Sequence, residues 1–449
     1  MKISAGLFFL AAAMAGAAPP QPEALFLVVA DQHSAYERTA QVVATVDRLK
    51  AEHPGLPLAV LIDGDTLEQG NALARRSGGA IDFAMLAALA RRAPTVLNLG
   101  NHEAEFFDLA ETVKRAQAAG VAVVSDIADR ATGRPFAPAS TTLHLGRVAA
   151  VVAGLATDNR GTYRAAIRDS LAIPEPVAWA RRNLPALLAG GAVPIVLSHA
   201  GLAADRAILP DLPDGTLFAG AHDHLRFVQP FGRTLYFHSG SWNQYLSLAW
   251  LDRDAAGTWR WTVEQVPVEA TAPGDPELAR LIAATREQYG EAADRAVIGH
   301  SSAARSTEEA GRFVAAAVRR ATGADAAFIG NTTLGGGLPA GDVTRETFDA
   351  CVRFDGDIFV ARMDGARLLE ALAAANQGPD TPFGARRGGF LFADGPARID
   401  PARQYRVATH DWIVRGARAY FGDPAIAWQE QPGLRLKAIA AAALAGGGD

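Results

Sequence analysis

The sequence predicts an α/β protein of two domains, and three observations predict it. From Ala24 short apolar runs alternate with amphipathic helical runs; after His224 the helices give way to short strands; and residues 268–276 lose all periodicity in a stretch of Pro, Gly, Thr and Ala. At about 150 residues per domain, a chain of 449 residues also exceeds what one core fills.

Taken in order, residues 25–30, 58–62, 95–99, 121–125, 148–155 and 194–197 read as buried strands, being short, aliphatic and β-branched. Helical runs lie between several of them, over 36–51, 81–91, 106–119 and 176–188. Four further strands, 226–229, 234–238, 247–252 and 259–267, are expected to close the domain as antiparallel partners, giving a first domain of residues 24–267. A linker and connector helix follow over 268–293, the helix itself over 276–289. The second domain spans 294–433, with helices near 306–322 and 365–375 and strands between. Residues 434–449 form an Ala-rich tail ending in Gly-Gly-Gly-Asp, expected to fray.

Met1 and Lys2, an apolar stretch to Ala18, the small triplet Ala15-Gly16-Ala17 and then Pro19-Pro20 read as a cleaved secretory signal peptide over residues 1–18, the alternative being a buried helix. The expected location is therefore periplasmic or secreted, without a membrane span in the mature form. At 49% hydrophobic and 20% charged the chain is globular, and a net charge of −5 gives no electrostatic reason to bind nucleic-acid polymers. The expected partner is a small molecule, and the expected state a monomer. Cys351 is the single cysteine, which excludes an internal disulfide and thiolate zinc sites.

The chemistry gathers at strand exits. The first strand delivers Asp31-Gln32-His33, the second Gly64-Asp65, the third Gly100-Asn101-His102-Glu103, the sixth Ser198-His199, and a later one Gly220-Ala221-His222-Asp223-His224. Five of the ten histidines fall in these turns, at the carboxyl ends where α/β proteins place their ligands. Carboxylate, imidazole and amide together suit zinc, manganese or iron.

Asp-x-His, Gly-Asp, Gly-Asn-His-Glu, a lone His and Gly-x-His-x-His in this order resemble the calcineurin-like metallophosphoesterases. The second half resembles the C-terminal domain of the bacterial periplasmic 5'-nucleotidase and UDP-sugar hydrolase family, through Leu338-Pro339-Ala340-Gly341-Asp342-Val343-Thr344, Gly388-Gly389-Phe390-Leu391 and Thr409-His410-Asp411-Trp412. The resemblance implies a four-layer β-sandwich flanked by helices, followed by a separate α/β substrate-binding domain. It implies two divalent metal ions, one held by Asp31, His33, Asp65 and His224, the other by Asp65, Asn101, His199 and His222, with Asp65 bridging. His102 is implied as the catalytic group that meets the phosphoryl oxygens, oriented by Glu105 where the family has Asp.

For the substrate, the resemblance implies that Phe390 and Tyr420 clamp a base, with Asn331, Arg305 and Arg386 as further contacts. The stretch Asn331-Thr332-Thr333-Leu334-Gly335-Gly336-Gly337 lacks the arginine that the family carries there. A family Asn appears here as Asp126. The implied activity is hydrolysis of a phosphate ester of a nucleotide-like substrate by metal-activated hydroxide. The same metal site acting on a cyclic nucleotide, a nucleotide sugar or a thiosulfate-type sulfur ester is the alternative, as is a non-catalytic ligand-binding relative.

Overall fold

A computed structural model describes residues 22–446, apart from 255 and 424. Residues 1–18, expected from the sequence to be a signal peptide, and the last three residues of the tail lie outside the described residues. Two six-stranded sheets build the first domain. One runs in the order Trp259–Pro267, Tyr245–Arg253, Ala24–Ala30, Leu58–Asp63, Thr95–Asn98, Ala122–Val124. The other runs Arg226–Phe231, Thr234–Ser239, Leu217–Gly220, Val193–His199, Val148–Ala156, Ser140–Leu145.

Each sheet holds four parallel strands. The strands are apolar throughout because each is covered on both faces, and side chains alternate across a sheet. In Ala24–Ala30, Phe26 and Val28 point between the sheets, where they meet Leu197, Ala219 and Phe237. Leu25, Leu27 and Val29 point the other way, onto the helices Thr39–Glu52 and Ala80–Ala90. The result is a helix, sheet, sheet, helix stack.

Three expectations change. Thr234–Ser239 pairs antiparallel with Arg226–Phe231 as expected, but on its other side it pairs in parallel with Leu217–Gly220 and so belongs to the interior of the sheet. Ser140–Leu145, unread in the sequence, is an edge strand whose polar alternate residues face outward. The Ala-rich end does not fray over Leu436–Ala445, because Leu436, Ile439, Ala440 and Leu444 are buried against the second domain.

The second domain has a five-stranded sheet in the order Leu391–Asp394, Ala326–Gly330, Gln404–His410, Asp357–Asp364, Gln429–Arg435. The helix Thr307–Thr322 covers one face, and it carries a full capping box of Ser306 and Glu309 at its start and a left-handed Gly323 at its end. Its core runs on into that of the first domain: Val196, Phe218 and Tyr236 share one apolar cluster with Phe313, Phe348 and Phe390. Asn331 also crosses the boundary, donating from Nδ2 to the Asp223 carbonyl at 3.0 Å. The helix Pro276–Tyr289 lies on the first domain, where Leu278 and Ile282 join its core.

Candidate metal centre and the cavity around it

Five strands end at one rim. Ala24–Ala30 presents Asp31 and His33, Leu58–Asp63 presents Asp65, Thr95–Asn98 presents Asn101 and His102, Val193–His199 ends on His199, and Leu217–Gly220 presents His222 and His224. The backbone there is strained. Asp31, His33, Asp65, His222 and His224 all have positive φ, between 47° and 76°, a region side chains other than glycine rarely adopt. Such strain persists only where surrounding contacts impose it, and it clusters at sites with a function.

Those contacts are present. Glu103, fully buried, accepts from the amides of Asp65, Thr66 and Gly100 at 3.0, 2.7 and 2.7 Å and so fastens two strand-end loops together. The amide of His222 donates to Asp31 Oδ1 at 3.0 Å, and that of His102 to Asp65 Oδ1 at 2.8 Å. Gly100 has to be glycine, because a Cβ there would overlap the Asp65 carboxylate. Gln32 faces away, donating to Asn243 Oδ1 at 3.0 Å.

Three groups of ligand atoms are close enough to share an ion: Asp31, His33 and His224; Asp65, His199 and His222; and His33, Asp65 and His102. Asp65 stands between the first two, its Oδ2 lying 3.0 Å from His199 Nε2 and 3.8 Å from His33 Nε2. The Nε2 atoms of His33 and His224 face each other at 2.9 Å. Asn101 anchors its Nδ2 on the Thr162 carbonyl at 3.4 Å and leaves Oδ1 buried without a partner, as His199 leaves Nε2. His199 Nδ1 lies 3.0 Å from the Asp63 carbonyl, which turns Nε2 inward. Buried carboxylate, imidazole and amide ligand atoms converge on one space, with Asn101 Oδ1 unpartnered inside it, so these residues fit a divalent metal.

The electrostatics agree. Burial, and then the neighbouring imidazoles, push His224 down to about 3 and His222 to about 4, and His33 also falls well below its usual value. These rings are neutral at pH 7 and keep a lone pair for a metal. Burial opposes a charge on Asp65, but His199 and His102 outweigh it and hold the carboxyl well below the ordinary range. His102 goes the other way, to about 10: burial works against its proton, while Asp65 and Glu105 retain it.

A cavity of about 590 Å³ opens from these residues towards the second domain, where Thr332, Thr333, Phe354, Asp355, Asp411 and Tyr420 line it. Of the substrate contacts expected from the sequence, Tyr420 is on this wall and the others are not. Phe390 is buried and packs edge-on against Phe392 at 5.2 Å between centroids, so Gly389 takes the place beside Tyr420. Asn331 spends its amide on the Asp223 carbonyl and the Phe390 amide. Arg305 stacks its guanidinium on Phe313 at 4.7 Å, away from the cavity. Arg386 lines a second, adjoining cavity. Sequence reasoning missed Thr333, Phe354, Asp355 and Asp411 as cavity residues; Thr333 and Asp411 stood inside quoted motifs, whereas nothing local marked Phe354 and Asp355.

Residues 289–391 match the family model of the 5'-nucleotidase C-terminal domain. A search of curated proteins found no match by sequence. Among solved structures, the fold is similar to a 5'-nucleotidase precursor from Thermus thermophilus, with a TM-score of 0.65 at 19% identity over 94% of this chain and 96% of that one. The chain thus carries a match to a 5'-nucleotidase C-terminal domain and shares the two-domain fold of that 5'-nucleotidase precursor over nearly its whole length. Two more structures share the fold. The sulfate thiohydrolase SoxB from Thermus thermophilus has a TM-score of 0.66 at 16% identity, covering 95% of this chain and 94% of that one. The NAD nucleotidase from Haemophilus influenzae has 0.52 at 15% identity, covering 93% and 95%. The 5'-nucleotidase-type domain thus supplies the wall of the cavity that faces the metal-ligand groups.

Proposed function

We propose that this chain is an exported, dinuclear-metal phosphoesterase of the 5'-nucleotidase type, acting on a nucleotide-like phosphate ester. The observation that carries the reading is the meeting of seven potential ligands from five strand ends around unpartnered buried donor atoms, with His102 beside them. Asp31, His33, Asp65 and His224 would hold one ion, and Asp65, Asn101, His199 and His222 the other. When bound, two ions of zinc, manganese or iron supply charge neutralisation at the phosphoryl oxygens and a water that ionises near neutral pH.

The chain's own residues do the rest. His102, kept protonated by Asp65 and Glu105, donates to the phosphoryl group and delivers a proton to the leaving oxygen. Thr332 and Thr333 offer hydroxyls to the ester, and Tyr420 a flat face to its leaving group. Export rests on residues 1–18. Among the described residues, no helix is long and apolar enough to cross a membrane.

One observation favours a variant of this reading. The guanidinium on the metal cavity's wall, Arg415, is paired with Asp411 at 2.5 Å, and Asp355 lies nearby. With threonines where the family carries arginine, the cavity is less suited to a nucleoside 5'-monophosphate than to a cyclic nucleotide, a nucleotide sugar or a sulfur ester. The purified chain, loaded with manganese or zinc, is to be assayed on p-nitrophenyl phosphate, its bis ester, a nucleotide panel and a thiosulfate ester, with metal content measured in parallel. Bound metal together with turnover that His102→Ala depresses supports the reading. Bound metal without turnover of any ester places the chain with the ligand-binding relatives.

A further inference from the structure

A second cavity, of about 560 Å³, adjoins the metal cavity and shares Ala203, Gly389, Ala419 and Tyr420 with it. Its charged lining is Arg206, Arg367, Arg386 and Arg387 against the single acid Glu370. Arg367 has a counter-charge, Asp423 at 2.6 Å. Among the described residues, Arg206, Arg386 and Arg387 form no ion pair.

Arg386 is the informative one, because it is only 5% exposed. Its Nη2 is spent on two neutral carbonyls, those of Pro379 and Thr381, at 2.9 and 2.8 Å, and its plane lies 5.0 Å from the Phe227 ring. Its Nε is buried without a hydrogen-bond partner. Arg206 likewise spends itself on the Phe383 carbonyl and ring. Arg387 is exposed to the cavity. A buried guanidinium with like-charged neighbours and no carboxylate is costly. Burial, and then Arg206 and Arg226, depress the Arg386 pKa, the signature of a cation missing its anion.

The cavity also touches the metal loop. The Asp223 carboxylate, between His222 and His224, lies against Gly388 and accepts the Leu202 amide at 2.6 Å. Because the two cavities share Ala203, Gly389, Ala419 and Tyr420, a ligand reaching past Tyr420 from the metal ligands meets the arginine cavity. The transferring phosphoryl group is met by the metal ligands and His102, so the arginines remain for a different anion.

We propose that the cavity of Arg206, Arg386 and Arg387 is a subsite for a second phosphate on the leaving group, so that the preferred substrates are phosphate esters bearing two separate anionic groups. The proposal rests on the phosphoesterase reading above, and its test separates the two. Inorganic pyrophosphate is titrated calorimetrically into the full chain stripped of metal, as wild type, Arg387→Ala and Arg206→Gln. The manganese-loaded proteins are then compared on adenosine 3',5'-bisphosphate and adenosine 5'-monophosphate.

Each substitution is expected to weaken pyrophosphate binding about ten- to hundredfold, the loss of one or two charge-assisted hydrogen bonds. The wild-type ratio of kcat/KM for bisphosphate over monophosphate is expected to exceed about ten and to fall towards one in the variants. Pyrophosphate binding that is equal in all three proteins overturns the proposal. So does a substrate ratio untouched by substitutions that abolish pyrophosphate binding, since the cavity then serves a free anion. Arginine-dependent pyrophosphate binding without turnover of any ester overturns the phosphoesterase reading and leaves the anion site standing.

Discussion

His102 Nδ1 lies 3.0 Å from Glu105 Oε1, an ion-pair contact made without the alignment of a hydrogen bond. The acid therefore reaches the ring, but from off the N–H axis. Its charge still helps to hold His102 at about 10, behind the larger contribution of Asp65. Glu105→Gln is expected to lower kcat on p-nitrophenyl phosphate about tenfold with little change in KM, and His102→Ala about 10²- to 10⁴-fold, the usual worth of a general acid. Steady-state kinetics of the metal-loaded proteins measures both. An Ala variant as fast as the wild type removes His102 from the reaction.

Asp65 lies close to both histidine groups, its Oδ2 3.0 Å from His199 Nε2 and 3.8 Å from His33 Nε2, and its backbone sits at φ 50°. Asp65→Asn is expected to reduce bound metal from about two ions per chain to less than one. It should also abolish the rise in Tm that saturating manganese gives the wild type, because that rise measures binding to the native state alone. Elemental analysis after gel filtration and thermal scans with and without metal check this.

How far the sequence disclosed these features follows from what each depends on. The strands leading to Asp31, Asp65 and Asn101 were legible because a sheet covered on both faces makes every residue apolar, a local signal. The ligands were legible because they follow those strands immediately. Ser140–Leu145 was not, since an edge strand with alternating polar residues reads like a loop. Phe390 was misplaced because an aromatic residue after Gly-Gly has the same local signature whether it stacks a ligand or fills a core, and only the packing of Phe392 beside it decides. The arginine cavity draws on residues 206, 367, 386 and 387, a grouping that exists only once two domains are docked.

Asp126, just past the end of the strand Ala122–Val124, carries a pH prediction. Its Oδ1 accepts the Ala156 amide at 3.0 Å while Oδ2 is buried without a partner, and burial pushes its pKa to about 8. The folded pKa is above the unfolded value of about 3.9. The folded state thus binds the extra proton between the two values, and the stability it contributes, complete below pH 4, is lost as pH rises through about 8. Thermal unfolding of Asp126→Asn should show a Tm advantage over the wild type that grows from pH 5 to pH 8. A constant difference across that range would remove Asp126 as its source.

Arg353 of the second domain is 3% exposed and sits deep in the domain boundary. Its guanidinium lies 4.5 Å from the Trp242 ring, and that ring packs against His33 at 4.4 Å and His224 at 5.2 Å. Glu37 stands 3.7 Å from Arg353 Nη2. Glu68, also buried, has neither carboxylate oxygen hydrogen-bonded, and after burial itself Arg353 is the largest influence on its charge. Arg353→Met keeps the volume over Trp242 and takes from Glu68 the cation that most favours its charge, so it is expected to destabilise the chain in urea unfolding. Adding Glu68→Gln removes that charge, so the double variant is expected to recover at least about 1 kcal/mol of the loss in urea unfolding. Additive losses would mean that Arg353 acts through Trp242 and Glu37 and not through Glu68. In that case the single Arg353→Met variant should still weaken metal binding, because the tryptophan it steadies is what holds the rings of His33 and His224 in place.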